Sequence, residues 1–267
     1  MCSHTGIFAA IPGILLGLAG VTGCSLLAPS DEALMGERGE PSHVAAEPPV
    51  SDGLVFWLDG ATDVETVDEG GTARVTRWGD LSGSGHDAIQ EDATLRPNWS
   101  EDRFADRRAL VFDPGDNLTI ADVPLSEQGF TLLLLAQPQL YASSDAPVAF
   151  GTDGPRFVGE DDTDLSFRLR EVDMNSNDID TPFAWVPGRA ALTIARVDPE
   201  GMVSVRVDGH DVLETRSLAP VTGSYAVAVG NASVMLAVVG LYDRALSLSE
   251  QEQLEQAMAA RWACCKP

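Results

Sequence analysis

Four carboxylates and two side-chain amides stand close together in Glu171-Val172-Asp173-Met174-Asn175-Ser176-Asn177-Asp178-Ile179-Asp180. In an extended segment residues i, i+2 and i+4 point the same way, so Glu171, Asp173 and Asn175 would share a face. Retaining hydrolysis of a glycosidic bond needs two carboxyl groups about 5–5.5 Å apart, one of them a proton donor. Asn175 and Ser176 stand where that donor is required, and an amide cannot protonate a leaving oxygen. The expectation is a protein that is not an enzyme. The same stretch supports a second chemistry, because Asp173-x-Asn175-x-Asn177 has the alternating oxygen ligands of a calcium loop. The EF-hand pattern fails at its sixth position, Asp178 rather than Gly, and at its twelfth, Ala184 rather than Glu. Two readings stay open: a Ca²⁺ site of another type on Asp173, Asn175, Asn177 and Asp180, helped by Glu160, Asp161, Asp162 and Asp164, or a solvated acidic loop. No other cofactor is indicated.

No competing constellation is better assembled. His4, His43, His86 and His210 are scattered, and the chain holds no G-x-S-x-G elbow, P-loop or dinucleotide fingerprint. The formal net charge is −24 over 267 residues, and residues 1–23 contain no charged side chain, so the whole acidic excess falls on the rest of the chain. Such a field repels phosphate backbones and excludes nucleic acid as a natural partner. Cysteine is sparse. Beyond Cys2 and Cys24 only the adjacent Cys264 and Cys265 remain, so no pair staples a domain, and the core must stabilise itself. A vicinal disulfide, an intermolecular link and two thiols are all open to that terminal pair.

The elements that would position these groups are short and β-rich. Leu54–Leu58, Ala109–Phe112 and Phe130–Ala136 are apolar runs stopped by Asp, Gly, Asn or Pro. Leu165–Arg170 alternates with the period of a half-buried strand, and Ala191–Val197 reads similarly. Val203–Val207 followed by Asp208-Gly209 and Val212-Leu213 signals a hairpin, and Tyr225–Gly230 and Ala232–Tyr242 supply two further strands. One helix is expected near the C-terminus. Ser247 caps it, Glu250 completes a capping box, and Leu254 and Met258 fall on one face with Ala257 and Trp262 beside them. No alternation of strand and helix suggests a parallel sheet.

The order of segments resembles bacterial laminin-G-like, concanavalin A-like jelly-roll domains. The resemblance rests on Leu54-Val55-Phe56-Trp57-Leu58-Asp59, then Trp78-Gly79-Asp80-Leu81-Ser82-Gly83-Ser84-Gly85-His86-Asp87-Ala88, which is similar to the W-x-D-x-S-G-x-G-x-x-A segment. Arg96-Pro97, Arg108–Asp113, Val205–Gly209, Leu241–Ser247 and the terminal helix follow in order. It covers residues 53–263 and implies an all-β, concanavalin A-like (laminin-G-like) jelly-roll β-sandwich with a C-terminal helix. In the β-glucanases among such domains, a strand motif places a nucleophilic Glu, a supporting Asp and an acid/base Glu on one face. The segment from Glu171 begins that way and departs at Asn175. Within the Trp78–Ala88 segment, Gly83 and Gly85 suit turn conformations and Asp80 and Ser82 suit hydrogen bonds to turn amides, against a minority role in ligand contact. Trp57 reads as core. Trp78, Trp99 and Trp185 are each expected to pack, with stacking on a sugar as the alternative.

The N-terminus says where such a domain works. Residues 7–22 form an uncharged apolar run too short for a bilayer core of about 30 Å, and Val21-Thr22-Gly23-Cys24 resembles a bacterial lipobox. Met1–Gly6 departs from the pattern by lacking Lys and Arg. The implied organisation is a signal peptide over 1–23, a lipidated Cys24 leading a disordered tether over 24–51, the jelly-roll over 52–263 and a tail over 264–267. The Pro-, Ala- and Glu-rich tether would reach roughly 25–30 Å. Together these features imply an extracytoplasmic module, lipid-anchored to a bacterial membrane at the outer membrane or cell surface. It would bind a glycan or a cell-envelope protein. A structural envelope component without a small ligand is the alternative, and a glycoside hydrolase-like enzyme a remote one.

Overall fold

The computed structural model describes residues 47–104, 107–140, 146–159, 164–168, 183–184, 186–216 and 221–264. In chain order its strands are β1 (Leu54–Asp59), β2 (Val64–Asp68), β3 (Ala73–Trp78), β4 (Ala88–Ile89), β5 (Asn98–Phe104) and β6 (Arg107–Phe112). Then come β7 (Asn117–Leu125), β8 (Phe130–Leu140), β9 (Val148–Phe150), β10 (Arg156–Gly159), β11 (Asp164–Arg168) and β12 (Phe183–Ala184). The last are β13 (Ala191–Val197), β14 (Met202–Val207), β15 (His210–Arg216), β16 (Gly223–Gly230) and β17 (Ser233–Tyr242), followed by α1 (Leu248–Trp262). Every strand pairing among them is antiparallel.

The pairings make two layers of a jelly-roll sandwich. In the back sheet β17 lies between β8 on one side and β6 and β1, end to end, on the other; β13, β14 and β15 extend it beyond β8. The front sheet runs β3–β4–β7–β16–β9–β10–β11–β12. Strand β5 pairs with β6 and touches β3, which joins the layers at one margin. Phe56, Leu110, Phe112, Ile120, Leu134, Phe150, Phe167, Val205, Val229 and Leu236 fill the space between the sheets.

The two sheets differ in what covers them. Leu132, Leu133, Leu134 and Leu135 are all fully buried, because the even pair faces the inter-sheet core and the odd pair lies in a second core with Trp57, Leu254, Met258 and Trp262. A strand buried on both faces reads as a continuous apolar run, as this one does. The second core sits under α1, which therefore seals the outer face of the back sheet. Phe104 meets the Trp262 ring edge-to-face at 5.5 Å. The front sheet alternates instead: β7 buries Leu118, Ile120, Val123 and Leu125 and leaves Thr119, Ala121 and Pro124 exposed.

Local chemistry matches the sequence where it is strongest. Asp208 (φ 48°) and Gly209 (φ 81°) both take left-handed conformations at the tip between β14 and β15, as a two-residue primed hairpin turn requires. Ser247 caps α1, with its backbone N–H donating to Glu250 Oε2 at 2.8 Å and its hydroxyl oxygen accepting from the Glu250 N–H. Arg244 grips the same carboxylate at 2.6 and 3.1 Å. The hydrogen bonds from Arg244, then that from the Ser247 N–H, lower the Glu250 carboxyl to about 2. At the other end of α1, Arg261 Nη2 lies 2.7 Å from Oδ2 of Asp59, which is wholly buried in β1. Burial outweighs this ion pair and pushes the Asp59 carboxyl above its ordinary value. Ahead of β1, Pro49 and Val50 are held on the helix side: Gln253 donates to the Pro49 carbonyl at 3.0 Å and the Tyr242 hydroxyl to that of Val50 at 3.1 Å.

Candidate functional site

Strand register paves the outer face of the front sheet. Arg77 stands opposite Ile89, Ile89 opposite Thr119, Thr119 opposite Ala228, Ala228 opposite Ala149, Ala149 opposite Arg156, and Arg156 opposite Arg168. Directly opposed residues project to the same side of a sheet. The flanking Leu118, Ile120, Val148, Phe150, Val227 and Val229 are buried, so this row faces outward. Its middle is small, with Thr119, Ala228 and Ala149 making a low floor. Its ends carry guanidinium groups, and Ile89 keeps 47% of its surface exposed. The middle of the row thus offers apolar methyls between guanidinium groups that are already engaged by neighbouring groups.

The arginine ends are held in place. Arg77 donates to Asp87 at 2.6 Å and contacts Asp63 and Glu65 at 3.1–3.2 Å. The hydrogen bonds to Asp87 and Asp63 hold its guanidinium further above its already high value. Arg156 donates to the Thr152 carbonyl at 3.0 Å.

The Trp78–Ala88 segment serves the fold. Asp80 Oδ1 accepts from the backbone N–H groups of Trp57 and Ser82, both at 2.9 Å, and Oδ2 accepts from the Ser82 hydroxyl at 2.7 Å and the His86 N–H at 3.0 Å. The same Ser82 hydroxyl oxygen lies 3.0 Å from the Val55 carbonyl, and Asp87 accepts from the Asp80 N–H. With Gly83 and Gly85 at φ 85° and 81°, the loop is a clasp that fastens the end of β3 to β1. Trp57 is core, as read from the sequence. Trp78 is fully buried, and Trp99 donates its indole N–H to the Gly60 carbonyl at 2.9 Å while the Arg108 guanidinium lies 4.2 Å from its ring centre. Neither offers a bare face for a sugar.

Cys24, Glu171, Asp173, Asn175, Asn177, Asp180, Trp185 and Cys265 lie outside the described residues. Cys264 is half-buried at the end of α1, against the core beneath that helix. Among the described residues no three His, Cys, Asp or Glu side chains gather as metal ligands, and no helix is long and apolar enough to cross a membrane. The outward row was missed by sequence reading. Alternation in Asn117–Leu125 is visible in the sequence, but the alignment of Thr119 with Ala228 and Ala149 exists only through register.

Fold and surface together define a jelly-roll sandwich with one sheet face sealed by a helix and one left open among the described residues. No protein-family model matches the sequence, and no curated protein matches it. Solved structures do. The binding domain of Paraclostridial Mosquitocidal Protein 1 superposes with a TM-score of 0.59 at 16% identity, over 79% of this chain and 53% of that one. The botulinum neurotoxin serotype D ligand binding domain in complex with N-acetylneuraminic acid gives 0.57 at 10% identity, over 79% and 52%. The Trypanosoma rangeli sialidase in complex with sialic acid gives 0.51 at 16%, over 77% and 33%. The chain thus spans about half the length of the two toxin domains. At these identities the likeness is one of fold.

Proposed function

We propose that this chain is a lipid-anchored, extracytoplasmic, non-enzymatic binding module of laminin-G-like type that presents the outer face of its front sheet to a glycan. The observation that carries the reading is the unequal burial of the two outer faces. The back sheet is closed by α1, while the front sheet exposes a low floor of Thr119, Ala228 and Ala149 between arginine-bearing ends. The solved neighbours support a binding role, since two are binding domains by name and two structures hold sialic acid. One neighbour is a hydrolase. The departure at Asn175 and Ser176 from a two-carboxylate set supports binding without hydrolysis here. In this reading Cys24 carries the lipid, residues 24–51 are the tether, 52–263 the module and 264–267 the tail.

A glycan array probed with the full-length chain tests the proposal. Binding to a defined glycan, lost in Ala149→Arg and Ala228→Arg variants that melt like the parent, is the expected result. An array without binding would refute the glycan reading and favour a structural envelope role. Release of reducing sugar would refute the non-enzymatic part. The module needs no cofactor in this reading. A calcium-dependent rise in melting temperature, reversed by EDTA, would instead assign Asp173, Asn175, Asn177 and Asp180 as ligands.

A further inference from the structure

The residues just ahead of β1 are held by the other end of the chain. Five consecutive carbonyl groups there each accept a hydrogen bond. Pro49 accepts from the Gln253 side chain at 3.0 Å, Val50 from the Tyr242 hydroxyl at 3.1 Å and Ser51 from the Leu54 N–H at 3.3 Å. Asp52 accepts from Arg244 Nε at 3.1 Å and Gly53 from the Asp243 N–H at 2.8 Å. Four of these five donors belong to residues 242–253, at the end of β17 and in the first half of α1.

Local sequence suits such a strap. Pro48 and Pro49 have φ fixed near −65° and carry no N–H, so only their carbonyls need partners. Glu47, ahead of a proline, is biased toward extended backbone. Little conformational freedom is therefore left to lose on docking. Gly53, at φ 72°, turns the strap into β1, where a Cβ would lie 2.8 Å from Asp243 Oδ1. Val50 is buried in the core beneath α1, in one cluster with Trp57, Tyr242, Leu254 and Met258. The helix is seated on that cluster and pinned by Arg206 to Glu255 at 3.0 Å and by Arg261 to Asp59 at 2.7 Å. Strap and helix thus share one core, and Gln253 of the helix bonds the strap directly. The end of a domain frays unless something ties it down, and here the tie includes α1.

We infer that residues 49–53 and α1 form a mutual lock: the strap stays docked only while α1 is seated, and release of α1 frees the chain entry and lets β1 fray from Leu54 onward. The lock needs no ligand and stands apart from the front-sheet reading. Because its distant donors lie in residues 242–253, it closes only after that part of the chain has folded into place. Native-state hydrogen exchange of the full-length chain, read by NMR, tests it. The Leu54 and Asp243 amides report the strap, those of Leu254 and Glu255 report α1, and those of Ile120 and Val227 report the front sheet. In the parent, strap and helix should exchange alike and faster than the front sheet. Tyr242→Phe keeps the ring in the core and removes the donor to Val50. It should speed strap and helix by the same factor, roughly two- to tenfold. Met258→Ala loosens the helix from its far half and should speed both by roughly thirtyfold or more. Thermal melts show that each variant is folded at the exchange temperature, and Tyr242→Phe decides alone if Met258→Ala does not fold. Four results would overturn the inference. They are no change at Leu54 in Tyr242→Phe, a change there that α1 does not share, a strap that keeps its protection while α1 opens in Met258→Ala, or strap and helix amides no faster than those of the front sheet.

Discussion

Replacing Asp80 by Ala separates a structural clasp from a ligand loop. The carboxylate accepts four hydrogen bonds, and the one from the Trp57 N–H lies within β1, where Trp57 is only 1% exposed. Leaving that backbone donor without a partner costs about 1–3 kcal/mol. Loss of the bonds to Ser82 and His86, nearer the surface and more easily replaced by water, adds about 1 kcal/mol. The total is about 3 kcal/mol, which for a domain of this size lowers the melting temperature by roughly 6–12 °C. Asp80→Asn keeps one acceptor oxygen for Trp57 and Ser82 but turns an amide donor toward the His86 N–H, so it should cost about half as much. Urea unfolding with an unchanged m-value, read beside thermal melting, measures both variants. An Ala variant within about 1 kcal/mol of the parent would refute the clasp. If that variant also lost glycan binding, the Trp78–Ala88 segment would be a ligand loop after all.

Three further outcomes follow from single contacts. Gly240 lies opposite Trp57, and a Cβ there would sit 2.7 Å from the indole Cε3, so Gly240→Ala should destabilise by about 1–3 kcal/mol in denaturant unfolding. Glu250→Gln should keep much of the capping box and lose the charge pairing with Arg244, costing roughly 0.5–1 kcal/mol at neutral pH after allowance for solvent screening. Because folding depresses the Glu250 carboxyl from 4.5 to about 2, its stabilisation is complete above 4.5 and fades as pH falls toward 2. The gap between parent and variant should close over that window in pH-dependent melts; a constant gap would argue against the ion pair. Cys24→Ser should move the protein from the detergent phase to the aqueous phase, and unchanged partitioning would remove the lipid anchor.

Legibility in the sequence followed how local the governing physics is. Leu132–Leu135 announces a strand buried on both faces because four consecutive apolar residues need two cores. Asp208-Gly209 announces its turn because both residues tolerate positive φ, and Ser247 with Glu250 announces a helix start because each satisfies the other's backbone. Strand β5, with the sequence NWSEDRF, gave no such signal, since its pairing with β6 comes from tertiary context rather than from its side chains. Strand β2, VETVD, has the period of a strand but sits almost wholly exposed, so it offers no core face to read. The candidate surface was invisible for a stronger reason. Thr119, Ala149 and Ala228 are unremarkable one by one, and they become neighbours only when distant strands settle into register.

The described residues just ahead of β1 leave the outer face of the front sheet clear. The chain enters along the helix side, where Pro49 is held by Gln253 and Val50 by Tyr242. Those contacts lie on the face that α1 already seals, so Pro49 and Val50 take no area from the front sheet. Had the chain entered over the front sheet, Thr119, Ala228 and Ala149 would lie beneath it.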